Sequence, residues 1–283
     1  MLLQMKNVQK QYPQFKLNCS LEVAPGRVIG LVGQNGAGKS TAFKAVLNLI
    51  RTDGGEVLLF GKPADQLTRE ERAGIGVVMA ESGFSGNLTV KEVANVLDGM
   101  YPGVCKKEFL ERCGSLGLPL DKRIREFSTG MRAKLKVLAA LCHNPRFLLL
   151  DEPTAGLDVV ARKELLELLR DFMDDESRGI LISSHISTDL EGICDELYMI
   201  HQGHIVLHQD TDVLLDSYGV IKADEKQYRN LDPAALLRVR RESYGYCCLT
   251  GDRQFYLENY PGLVVERGTL DEIIDLMIRG EKL

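Results

Sequence analysis

No stretch of this sequence approaches the roughly 18 consecutive apolar residues that a membrane-crossing helix requires. Met1 to Tyr12 carry neither the apolar core nor the small-residue cleavage site of a secretory signal. The chain is therefore expected to be cytoplasmic, with any hold on the inner face of the cell membrane supplied by a partner. A basic excess is missing too: the formal net charge is −5, which argues against a surface built to neutralise phosphate backbones. The seven cysteines form no CxxC pair and no zinc-ligand spacing, which fits the same compartment. Adjacent Cys247 and Cys248 read as two small strand residues. There is no internal repeat and no low-complexity linker. What is present is enough apolar material, 45% of residues, for a substantial core in a chain long for one compact domain and short for two.

The central part of the chain alternates strand and helix patterns. Val28 to Val32 is a short apolar run ending in a glycine-rich turn, and Thr41 to Ile50 follows with helical spacing. Phe147 to Leu150 and Ile180 to Ser183 read as further buried strands, with helices expected over Met131 to Cys142 and Ala161 to Met173. This alternation predicts an α/β fold with a mostly parallel sheet core. Leu2 to Tyr12, Phe15 to Val23 and Glu56 to Phe60 predict an antiparallel β flank. A helical subdomain is expected at about 88–144, and a hairpin over Leu197 to His208 turning at Gln202-Gly203. The texture changes near Tyr218, so residues 1–217 are expected as one domain and 218–283 as a small C-terminal α+β extension closed by an amphipathic helix at Leu270 to Ile278.

Gly33-Gln34-Asn35-Gly36-Ala37-Gly38-Lys39-Ser40 fits GxxxxGK[ST] between a predicted strand and a predicted helix. Glycines there let successive backbone N–H groups turn inward onto phosphate oxygens, and the helix start adds the positive end of its dipole. Lys39 can neutralise β/γ-phosphates, and the Ser40 hydroxyl can ligate Mg²⁺. Phe147 to Leu150 deliver Asp151 and Glu152 to the carboxyl end of a strand, where open α/β sheets place ligands. One acid can hold Mg²⁺ and the other can orient the water that attacks the γ-phosphate. Taken alone, Asp151-Glu152-Pro153-Thr154 suits a helix N-terminus equally well.

The order of elements decides between these readings. Phe127-Ser128-Thr129-Gly130-Met131, then Asp151 to Asp158, then Ser183-Ser184-His185 follow the phosphate loop in turn. In this the sequence resembles the ATP-binding cassette (ABC) family, the nucleotide-binding subunits of ABC transporters, over about residues 2–215. The resemblance implies an ATPase that uses ATP and Mg²⁺. By it, Tyr12 is similar to the aromatic residue that stacks on adenine, and Gly33 to Thr41 (Gln34, Asn35, Gly36, Ala37, Gly38, Lys39 and Ser40 between them) to the phosphate loop. Asp151 matches the metal-holding acid, Glu152 the general base, and His185 the histidine contacting the γ-phosphate. Ser128 and Gly130 match the signature loop, which contacts ATP on an opposite protomer, and Gly156 to Asp158 the loop crossing that dimer interface. The implied partners are a second cassette, as homodimer or heterodimer, and a separate transmembrane permease subunit whose docking surface is expected over Glu81 to Val104. Nucleic acid is not expected.

Two motifs depart from the family pattern. Its signature is usually LSGGQ, and Thr129 and Met131 replace a glycine and the glutamine here. A second glutamine, expected to touch Mg²⁺, is replaced by Ala80 with Glu81 adjacent, and a carboxylate at Glu81 suits Mg²⁺. Both departures resemble those of bacterial exporters whose cassette and membrane subunits are separate chains. His201, His204 and His208 lie close in sequence but with no acid to complete a tetrahedral set, so no metal site is expected there. Other classes weighed are a soluble ATPase working on ribosomes or nucleic acid, for which the interval from Lys39 to Ser128 leaves no room for inserted coiled coils, and a regulatory cassette with little turnover.

Overall fold

The computed structural model describes residues 1–101 and 103–282. The first antiparallel ribbon is β1 (Leu3–Tyr12) and β2 (Phe15–Val23), followed by β3 (Val28–Val32) and α1 (Lys39–Val46). Next come β4 (Gly54–Leu59), β5 (Lys62–Pro63), α2 (Arg69–Arg72) and β6 (Ile75–Val78). Three helices follow, α3 (Val90–Met100), α4 (Lys106–Ser115) and α5 (Thr129–Leu141). The chain then returns to the sheet through β7 (Phe147–Asp151), α6 (Val159–Phe172), β8 (Gly179–Ser184), α7 (Ser187–Glu191), β9 (Glu196–His201) and β10 (His204–Asp210).

These ten strands form one sheet ordered β5-β4-β1-β2-β10-β9-β3-β8-β7-β6. Its centre is parallel, β9 with β3, β3 with β8, β8 with β7 and β7 with β6. The antiparallel flank of β1, β2, β4 and β5 joins this centre where His204 pairs with Asn18. Strands β3, β7 and β8 are buried along their whole length, which is why they read as unbroken apolar runs rather than alternating ones. Their side chains nevertheless divide between two cores. Leu148, Leu150, Ile180 and Ile182 face α6, whereas Phe147, Leu149 and Leu181 face Phe43 and Val46 of α1. A third core, with Val93, Leu97, Phe109, Cys113, Leu135 and Leu138, holds α3, α4 and α5 together as the expected helical subdomain.

Three details differ from the sequence reading. Helix α1 stops at Val46, because Asn48 adopts a left-handed conformation (φ 53°) although the apolar pattern continues to Ile50. Strand β6 was not foreseen; its Gly76 lies where a Cβ would sit 2.5 Å from the Ala140 carbonyl, so the strand packs on backbone too closely for a side chain. The C-terminal segment is also less separate than its texture implies. Helix α8 (Thr211–Ser217) leads into it, and it contains β11 (Gly219–Ala223), α9 (Glu225–Arg229), β12 (Leu236–Glu242), β13 (Gly245–Thr250), α10 (Arg253–Asn259), β14 (Val264–Arg267) and α11 (Leu270–Arg279). Its antiparallel sheet, ordered β12-β13-β11-β14, has two apolar faces. One carries Ile221 and Cys248, which pack with Tyr256 of α10 in a core of its own. The other presents Val220, Cys247 and Leu249, with Leu270, Ile273 and Leu276 of α11, to the core that contains Leu165 and Leu190. Each such buried aliphatic side chain contributes about 1.5–3 kcal/mol, so α11 is docked rather than trailing.

Candidate active site

The turn from β3 into α1 is a glycine solution to a steric problem. Gly36 and Gly38 have φ of 82° and 115°, a region that costs a residue with a Cβ about 1–2 kcal/mol. A Cβ on Gly33 would lie 2.4 Å from the Ile200 carbonyl oxygen. The loop is braced by the β9–β10 hairpin, whose Gly203 N–H donates to the Ala37 carbonyl at 2.8 Å. Both central residues of that hairpin turn have positive φ, Gln202 at 47° and Gly203 at 81°, as a two-residue hairpin favours. Helix α1 has no side chain capping its N-terminus, so its first N–H groups remain available to an anion. Lys39 is 5% exposed, and its ammonium donates to the Gly33 carbonyl at 2.7 Å. A hollow of ≈ 360 Å³ lies over the loop, walled on its other sides by Phe15, Ala80 and Glu152.

β7 and β8 bring the acids and the histidine to the same place. Asp151 is 1% exposed and accepts a 2.7 Å hydrogen bond from the Ser183 hydroxyl. Glu152 has φ 52°, an uncommon conformation for a residue with a side chain. Its N–H donates to the Ser183 hydroxyl at 3.0 Å, and this turn carries the carboxylate over the phosphate loop. Glu152 Oε2 lies 2.5 Å from His185 Nδ1 and accepts from the His185 N–H at 3.2 Å. Glu152 Oε1 is 3.1 Å from Lys39 Nζ, yet it is buried without an aligned hydrogen-bond donor. An orphaned carboxylate oxygen beside a cation, at the edge of a hollow, is well suited to accept from a water molecule. Lys39, Glu152 and His185 thus meet at the carboxyl ends of neighbouring strands β3, β7 and β8.

A second hollow of ≈ 300 Å³ adjoins the first, and Ser40, Glu81 and Asp151 all line it. One hydroxyl and two carboxylates are hard oxygen donors of the kind Mg²⁺ prefers, and this ion takes one or two protein ligands and fills the rest with phosphate and water. The donor set therefore fits Mg²⁺, although among the described residues no three His, Cys, Asp or Glu side chains converge into a closed cage. Ala80 lines the first hollow and Glu81 the second, so the place of the expected glutamine spans both.

Other residues expected at the site stand elsewhere on the chain. Helix α5 begins at Thr129, not Met131, and Ser128 is its N-cap, accepting from the Met131 N–H at 3.2 Å. Neither Ser128 nor Gly130 lines either hollow. Gly130 packs where a Cβ would sit 2.9 Å from Ala161 Cβ, and Gly156 lies against Thr129. Asp158 also lies away from both hollows; it caps α6 by accepting from the Ala161 N–H at 2.8 Å. Next to it, Val159 and Val160 are 78% and 69% exposed. The phosphate loop and the Ser128–Asp158 face are thus two separate surfaces of one chain. Tyr12 stands at the rim with its ring centroid 6.4 Å from that of Phe15, and Phe15 is the ring that lines the hollow. Phe15 escaped the sequence reading, as did the hydroxyl of Ser183 that holds Asp151. Their signals were an aromatic just after a two-residue turn and the serine run before His185. His208 pairs with Glu196 at 2.7 Å and stacks on Tyr198, as a satisfied surface histidine does.

Comparison with known proteins gives the family. The family model of the ABC transporter matches residues 17–155. The bacitracin transport ATP-binding protein BcrA of Enterococcus faecalis is 34% identical over 209 residues, 72% of this chain and 68% of that one. The lantibiotic transport ATP-binding protein SrtF of Streptococcus pyogenes is 33% identical over 215 residues, 75% of this chain and 92% of that one. The Nod factor export ATP-binding protein I of Cupriavidus metallidurans is 34% identical over 224 residues, covering 76% and 73%. Among solved structures, an ATP-binding subunit of an ABC transporter superposes with a TM-score of 0.67 at 26% identity, covering 76% of this chain and 92% of that one.

Proposed function

The chain belongs to the ABC transporter family as an ATP-binding subunit, and on that premise we propose that it drives an exporter whose membrane-spanning part is a separate chain. It is an ATPase, cleaving ATP to ADP and phosphate, and it works as one of two cassettes closed around nucleotide. In the reading proposed, the N–H groups of Gly33 to Thr41 cradle the phosphates and Lys39 neutralises their β and γ oxygens. Tyr12 and Phe15 offer stacking faces to the adenine. Glu152 takes the proton of the water that attacks the γ-phosphorus, the bond from that phosphorus to the bridging oxygen breaks, and ADP leaves with the bond electrons. His185, with Nδ1 engaged by Glu152, turns Nε2 to the γ-phosphate. Ser40, Asp151 and Glu81 hold Mg²⁺, which when bound spreads the charge on the phosphate oxygens. Ser128 and Gly130 of one cassette close over ATP held by the other, with the exposed Val159 and Val160 beside that contact. The observation that carries this reading is the meeting of Lys39, Glu152 and His185 over the phosphate loop.

Among the described residues no helix is long and apolar enough to cross a membrane, so the crossing belongs to a partner. An apolar groove between β6 and α3, with Val77, Val96 and Met100 exposed along it, supports docking of that partner within Glu81 to Val104 and its surroundings, and would hold the chain at the inner membrane face. Export follows the Nod factor relative, whose name states that direction. The test is to purify the tagged chain from its own host in mild detergent and to identify what accompanies it by mass spectrometry. A stoichiometric multi-span membrane protein is expected; ribosomes or nucleic acid in its place would overturn the transporter reading and leave the ATP site intact.

A further inference from the structure

We infer that Asp271, in the C-terminal extension, is a positioning residue for hydrolysis, acting through Ser187 on the turn that presents His185. The inference rests on the reading of His185 as the γ-phosphate contact and adds to it a control point outside the nucleotide site.

The turn after β8 has one local side-chain support, the Ile186 N–H donating to the Ser184 hydroxyl at 2.9 Å. Helix α7 has five residues and no side-chain N-cap, and an isolated turn of that length does not hold itself together in water. Besides the Glu152 carboxylate, which accepts from the His185 N–H, three contacts hold it from outside. Leu190 is wholly buried in the core shared with Leu270 and Ile273. Asp189, 2% exposed, pairs with Arg162 of α6 at 3.2 Å. Ser187, 1% exposed, donates its hydroxyl proton to Asp271 Oδ1 at 2.6 Å across 84 residues of sequence. Ser187 is a residue type that often caps a helix, but its hydroxyl is committed to this tertiary bond instead. Asp271 sits in the first turn of α11 but is not its cap, because that N-terminus is already capped reciprocally by Thr269 and Glu272.

Only Ile186 separates Ser187 from His185, and consecutive Cα atoms are about 3.8 Å apart, so the two cannot move independently. On the other side, Arg162 lies one turn into the helix that Asp158 caps. The turn bearing His185 is therefore clamped between the Gly156–Asp158 loop through Arg162 and the C-terminal extension through Asp271. Breaking the outer clamp leaves the phosphate loop untouched and loosens the imidazole that reaches Glu152. The expected signature is a loss in kcat without a loss in ATP affinity.

The test uses the whole chain, with ATPase kcat, KM for ATP and melting temperature as readouts. Ser187→Ala and Asp271→Ala are each expected to lower kcat roughly ten- to a hundredfold, the scale of a small misplacement of a catalytic group, with KM changed less than about twofold. The double variant is expected to be no worse than either single one, because both remove the same bond. Asp271→Asn, whose amide oxygen still accepts, is expected to keep kcat within about twofold of the parent. In a His185→Ala background, Asp271→Ala is expected to change the residual rate by less than about twofold, which a general loss of packing would not reproduce. A parental kcat in Asp271→Ala, or an equal fall in both backgrounds, overturns the inference. If His185→Ala itself keeps parental turnover, the assignment of His185 fails and the positioning role fails with it. If His185→Ala is inactive and Asp271→Ala is normal, only the positioning role is lost.

Discussion

Replacing Glu152 by Gln isolates the proposed general base, because the substitution preserves shape while removing the charge. In the structure the carboxylate has two different neighbours, Lys39 Nζ 3.1 Å from Oε1 and His185 within 2.5 Å of Oε2. A Gln side chain can keep its carbonyl oxygen on the His185 side, which leaves its NH₂ group facing the Lys39 ammonium, donor against donor. Lys39 then loses an anionic neighbour and is freer to meet phosphate, so ATP affinity is expected to hold or to rise. Turnover is expected to fall by about 10² to 10⁴, the usual contribution of a positioned base, which is about 2.7 to 5.5 kcal/mol on the barrier. With hydrolysis stopped, ATP and Mg²⁺ should hold two chains together, so the variant is expected to elute as a dimer on size exclusion while the parent returns to monomer. The assay is release of inorganic phosphate alongside that elution profile. Turnover within about threefold of the parent would mean that a different group takes the proton.

Gly33→Ala places a methyl group 2.4 Å from the Ile200 carbonyl oxygen. Either the loop or the β9–β10 hairpin must shift, and Kd for a fluorescent ATP analogue is expected to rise at least about tenfold, or 1.4 kcal/mol; an unchanged Kd would show that the loop does not need this close approach. Glu81→Ala is expected to raise the Mg²⁺ concentration for half-maximal ATPase activity several-fold at saturating ATP, and an unaltered Mg²⁺ titration would remove Glu81 from the metal set. His143 stacks on Tyr101, and burial holds its imidazole below the ordinary 6.5 against the opposing pull of the Ile75 and Ala139 carbonyls. The unfolded chain therefore takes up this proton first as pH falls, so the contribution is intact above pH 6.5 and is lost progressively below it. The melting temperature of the parent is expected to fall more steeply below pH 6.5 than that of His143→Gln, and parallel curves would refute this.

The phosphate loop was legible from its GxxxxGK[ST] spacing between a strand and a helix, and its glycines adopt φ values that favour glycine. Asp151 could be placed at a strand end by the four apolar residues before it, but its role was separated from that of a helix N-terminus only by the order of the motifs around it. The Gln202-Gly203 turn was similarly plain. The direction in which Glu152 points was not, since nothing local announces a left-handed glutamate; the neighbouring strand imposes it through Ser183. Strand β6 was missed because four residues interrupted by Gly76 give too weak a period, and it exists only by pairing with β7. The union of residues 218–283 with the main body was hidden for another reason. Alternation along β11 and β13 shows that both faces of these strands carry apolar residues, but not which body each face meets.

That union has a bearing on how the protein is made. The core behind β3, β7 and β8 is not closed by the strands and helices that precede residue 217; Leu270, Ile273 and Leu276 fill part of it. Domains tend to fold as they emerge, N-terminal part first, yet here the catalytic layer waits on a helix that follows the whole ten-stranded sheet in the chain. A nascent chain that already has its phosphate loop, its acids and its histidine still lacks one wall. The layer beneath the ATP site thus takes its final packing only with α11 in place.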